Sequence, residues 1–141
     1  MIAQTYFLSI LYLLLGASLL LADFWGMRFP LLLSLRYAFR VHKLVRRAFI
    51  LSGLGICLAL GFFPYPPGPA LLGDFVPLLN CFCLLVYYLY QSLRGMDKHT
   101  ESEQTVLDTT GLYMERNKRN VGYLTLAVAV LHFLAPQLVL L

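Results

Sequence analysis

The chain has 141 residues, 60% of them hydrophobic and 13% charged, with a formal net charge of +4 and a mean hydropathy of +0.73. A soluble globular domain carries about a quarter charged residues, so an ordinary water-soluble surface is excluded and an all-α integral membrane protein is indicated. One domain, residues 1–141, is the natural count at this length.

The first apolar run, residues 5–22, starts close to Met1 with no charged leader and no small-residue cleavage site. It reads as a retained span rather than a signal peptide, near the roughly 20 residues that a spanning helix needs. No lipidation signal is recognised. Asp23 to Gly26 close the span, and Trp25, the single tryptophan, suits an interfacial anchor.

Residues 24–47 are the most basic part of the chain. Pro30 can open a helix but not sit deep within one, so a new helix is expected after it. Arg36, Arg40, Lys43 and Arg47 follow at spacings of four, three and four and share one face with Arg46 close by, while Tyr37, Val41, Leu44 and Val45 take the other. This predicts a basic amphipathic helix lying in the membrane interface. Two readings of its cationic face stay open: a solvated face that sets topology, or a contact for anionic lipid headgroups or a partner.

A second span is expected over residues 48–63. Gly53, Cys57 and Gly61 recur every four residues, and Gly55 and Ala59 form a second such pair. Small residues at this spacing let helix backbones approach closely in lipid, so close packing on a neighbouring helix is expected, in this chain or another. The run that follows, residues 64–74, holds Pro64, Pro66, Pro67, Gly68 and Pro69. No helix passes through it, since each proline removes a backbone donor and clashes with the preceding turn, and the chain must turn back as a rigid hairpin. Asp74 either caps the next helix or, with the hairpin, docks an outer partner.

The third span is expected over residues 75–92, with Tyr87, Tyr88 and Tyr90 as an aromatic belt at its exit. Residues 94–120 are polar. Thr100 and Glu103 have capping-box spacing, so a short surface helix or a polar loop belongs here, its acidic front facing the basic helix at 36–47. Residues 121–141 form the fourth span.

All eleven lysines and arginines lie in two segments, 24–47 and 94–120. Four spans place both segments on one side, and the positive-inside rule makes that side cytoplasmic. The termini and the proline hairpin then face outward from a plasma (inner) membrane.

His132 is the ionisable side chain deep in the last span. Such groups are costly in lipid and are functional candidates by default, though a neutral histidine also packs against a neighbouring helix. Pro136, four residues on, deprives the His132 carbonyl of its helical donor. Asn80 falls near the same depth, and the two are candidates for a polar pathway or for interhelical contacts. No carboxylate pair, nucleophile set, phosphate loop or metal spacing is recognised, so no catalytic residue, metal or cofactor is expected, and a lipid-acting enzyme is the weakest alternative. A nucleic-acid role for the basic face is set aside because its other face belongs in lipid.

The expected role is a small membrane subunit, with no chemistry of its own, that stabilises or positions a larger membrane complex such as a transport complex. Its partners would be membrane lipids and another membrane protein. The alternative is a homo-oligomeric transporter or channel with His132 and Asn80 on the path.

Overall fold

The computed structural model describes residues 2–62, 74–94 and 106–135. Among these there are six helices and no strand: α1 (Ile2–Trp25), α2 (Pro30–Val41), α3 (Lys43–Phe62), α4 (Phe75–Arg94), α5 (Val106–Arg116) and α6 (Lys118–Leu134). Three stretches within them, Gln4–Trp25, Lys43–Phe62 and Phe75–Leu93, are long and apolar enough to cross a membrane. The expected fourth span is described only as the 17 residues of α6, and residues 136–141 of it lie outside the described residues.

Helix α1 is central. It packs along α6 and also touches α2, α3 and α4, while α3 lies mainly on α4. The leucine-rich face of α1 supplies Leu13, Ala17 and Leu20 to the core, which they share with Ile56, Leu60, Cys81, Leu84, Val128 and Ala129. Small residues set the spacing. A Cβ built on Gly122 of α6 would stand 2.8 Å from Leu21 Cγ, and one built on Gly16 of α1 2.6 Å from a Leu84 methyl. Both crossings are therefore closer than any larger residue permits.

The basic amphipathic helix is not continuous. The chain breaks at His42, whose φ of −92° and ψ of 102° are extended, and a new helix begins at Lys43. Arg36 and Arg40 thus belong to α2, whereas Lys43, Arg46 and Arg47 occupy the opening turns of the long helix α3. No proline or glycine marks the break. It is held by packing across the bend, where Phe39 of α2 meets Phe49 of α3 at 5.6 Å and Tyr88 of α4 at 5.0 Å between ring centroids, both edge-to-face. Phe39 is buried while Tyr37, Val41 and Leu44 look outward.

The tyrosines of α4 do not form an outward belt. Tyr87, Tyr88 and Tyr90 are 2%, 2% and 3% exposed. Tyr88 donates to the Gly16 carbonyl at 3.3 Å, and Tyr90 lies over Gly111 of α5, where a Cβ would come within 2.6 Å of its ring. Aromatic bulk at this end serves interhelical packing, because α2 and α5 close over α4 there.

The prolines and glycine of the hairpin, Pro64, Pro66, Pro67, Gly68 and Pro69, lie outside the described residues, as do Thr100 and Glu103. Asp74 is buried directly ahead of α4, and its carbonyl accepts the Leu78 N–H at 3.0 Å. That is the backbone position of an N-cap residue.

Candidate functional site

Polar side chains from five helices, α1, α2, α4, α5 and α6, meet around the end of α1. Asp23, at the end of α1, pairs through one carboxylate oxygen with Arg36 of α2 and through the other with Lys118 at the start of α6. The Asp23 and Arg36 side chains are 22% and 25% exposed, so the group is shielded but not sealed. A small cleft of about 50 Å³ adjoins it, lined also by Arg40, Phe39, Tyr87, Gln91 and Glu115 over a floor of Leu19, Leu20 and Tyr88. Gln91 Nε2 donates to the Tyr87 hydroxyl at 2.8 Å. Burial first, and then the like charge of Arg40, push the Arg36 guanidinium below its usual value.

Arg36 and Arg40 are therefore brought into a pocket with Lys118, which lies 82 positions beyond Arg36 in sequence. Lys43 and Arg47 stay exposed on α3, and Arg46 is half-buried with its Nε unpartnered among the described residues. The acidic stretch expected to face the basic helix lies mostly outside the described residues. The carboxylate that Arg36 meets is Asp23. Reading along the chain missed Asp23 because its partners are 13 and 95 positions away. One signal was available: it is the only acidic residue before Asp74, directly ahead of six cations.

The small residues of α3 divide into two sets. Gly53 is buried against Tyr12 of α1, where a Cβ would stand 2.7 Å from the phenol Cζ, and Gly61 is within 3.5 Å of Leu78 of α4 by the same construction. Cys57 is half-buried beside them. This stripe is used within the chain. Gly55 faces the other way, since a Cβ there meets nothing within 4 Å. With Ala59, Ser52, Ile56 and, from α1, Gln4, Thr5 and Leu8 it lines an outward groove of about 340 Å³.

Asn80 and His132 are both buried, at 7% and 0% exposure, and each has its own partner. Thr125 Oγ1 stands 3.2 Å from Asn80 Oδ1 and 2.8 Å from the Val121 carbonyl. A hydroxyl has one proton. Turning the Asn80 amide so that Nδ2 donates to Thr125 Oγ1, while Thr125 donates to Val121, gives the single hydroxyl proton one acceptor and gives a partner to an Nδ2 that is otherwise orphaned. His132 lies two helical turns further on, beside Tyr6 of α1. The two rings are 4.7 Å apart, and the Tyr6 hydroxyl donates to the His132 backbone carbonyl. The interhelical partner Thr125 was not singled out from sequence.

No curated protein and no solved structure matches this chain. A family model, however, matches residues 1–132. The chain belongs to that family, one of unknown function.

Proposed function

We propose that the chain is a four-span protein of the plasma membrane, with its basic segments cytoplasmic, acting as a small subunit that stabilises or positions a larger membrane complex. The observation that carries this reading is the outward face of α3. Only 17% of its apolar stretch is buried. Its inward small residues are taken up by Tyr12 and Leu78, yet Gly55 and Ala59 line a groove that the described residues leave open. In lipid, small residues on an exposed helix face favour close approach of another helix.

The charge-based topology has its own support. Arg36 from the first basic segment and Lys118 from the second meet on one carboxylate, as two segments on the same side of a membrane would. The pathway alternative draws less support, because Asn80 is engaged by Thr125 and His132 lies at 0% exposure beside Tyr6. Side chains that line a path need a wet face, and these face neighbouring helices.

Gentle extraction from native membranes, followed by mass spectrometry of what co-migrates, tests the reading. A stoichiometric larger membrane protein is expected, and Gly55→Leu should release it while leaving the chain folded. Recovery of a homo-oligomer alone would overturn the subunit reading and return attention to flux assays.

A further inference from the structure

The cleft beside Asp23 has more hydrogen-bond donors than the described residues around it use. Arg36, Arg40 and Lys118 line it, and an arginine carries five N–H donors and a lysine three. The acceptors facing them are the carboxylates of Asp23 and Glu115 and the side chains of Tyr87 and Gln91. Asp23 is already covered on both oxygens by Arg36 and Lys118. Arg40 makes no ion pair among the described residues, although it lies close enough to Arg36 to act on that guanidinium by like-charge repulsion. Three cations against two carboxylates among the described lining residues leave the cleft at about one net positive charge. Its volume of about 50 Å³ admits a tetrahedral oxyanion but not a sugar or a nucleotide.

We infer that this cleft binds one phosphate group, with Arg40 as its principal anchor and Arg36 and Lys118 as supporting donors. The single net charge matches a monoanionic phosphodiester better than a dianionic monoester, and the apolar floor of Leu19 and Leu20 suits the glycerol end of a phospholipid. An anion here also relieves the repulsion between Arg36 and Arg40. The lipid source rests on the membrane placement proposed above, but not on the existence of a protein partner. Of the basic residues exposed on this side, the site uses Arg40 and leaves out Lys43 and Arg47.

The test uses the full chain purified in a neutral detergent, with three probes: short-chain phosphatidylglycerol, short-chain phosphatidylcholine and inorganic phosphate. Native mass spectrometry reads the lipid retained per chain, and thermal melting reads stabilisation. Arg40→Gln removes the anchor without touching the Asp23 pairs, and Arg47→Gln makes the same change of charge outside the cleft. One phosphatidylglycerol per chain is expected, weakened about tenfold or more by Arg40→Gln, since a hydrogen bond to a charged group is worth that much, and unchanged by Arg47→Gln. Retention of phosphatidylglycerol identifies a lipid headgroup. Stabilisation by inorganic phosphate alone, lost in Arg40→Gln, identifies a free phosphate and keeps the site. Equal effects of the two substitutions, or no binding of any probe, overturn the inference. Neither result depends on whether a protein partner co-purifies.

Discussion

The Tyr6 hydroxyl donates to the backbone carbonyl of His132, joining the first turns of α1 to the last turn of α6. In an unbroken helix that carbonyl would accept from the residue four positions on, which is Pro136 and has no N–H. A side chain 126 positions away supplies the missing donor. Tyr6→Phe is expected to cost about 0.5–1.5 kcal/mol, read as a lower melting temperature in detergent. In a Pro136→Ala background, where an N–H is restored, the same substitution should cost less than half as much. An equal cost in both backgrounds would show that the carbonyl contact is not what Tyr6 contributes.

The two glycine faces of α3 predict opposite outcomes two residues apart. Gly53→Ala drives a methyl into the Tyr12 phenol and should destabilise by about 1–3 kcal/mol, with partial rescue by Tyr12→Phe, which removes the nearest atom. Gly55→Leu should leave the melting temperature almost unchanged and act only on association. Loss of folded protein in Gly55→Leu would mean that this face is not open.

Asp23→Asn removes the charge that holds Arg36 and Lys118 together. The pairs are only partly shielded, so a loss of about 1–2 kcal/mol is expected. The difference from wild type should shrink in high salt, where the remaining charges are screened. Because Asp23 ties α2 to the bundle, cysteine labelling at Tyr37→Cys should change rate in the Asp23→Asn protein. An unchanged rate would assign α2 to its Phe39 contacts alone.

Asn80 and Thr125 lend themselves to a double-mutant cycle. Either Asn80→Leu or Thr125→Val alone strands a buried polar group and should cost about 1–3 kcal/mol. The double substitution should cost less than the sum, because both partners become apolar together. Strict additivity would indicate that the two side chains do not interact.

Helices were legible in the sequence wherever an unbroken apolar run reached spanning length, as at 5–22 and 75–92, because hydropathy over that length outweighs local detail. The start of α4 behind Asp74 was legible too, because Pro77 falls in the first turn of the helix, where a missing donor costs little. What could not be read was direction around each helix axis. Gly53 and Gly55 belong to equally regular stripes, and only the position of Tyr12 decides which stripe turns inward. Tyr87 and Tyr88 sit where interfacial tyrosines usually do, yet α2 and α5 cover them. The break at His42 had no proline or glycine to announce it, being imposed by the three rings that meet across the bend. Asp23 was legible as a charge but not as a junction, since its partners come from distant segments.

The packing of α1 along α6 sets an order of events during synthesis. About 90 residues separate the end of α1 from the start of α6, which at ordinary translation rates is ~5–20 s of waiting. For that interval the face of α1 carrying Leu21 and Tyr6 has no α6 to meet. A ribosome that stalls before Lys118 therefore leaves a first helix bare on the side that α6 covers, a ready mark by which quality control can tell the unfinished chain from the finished one.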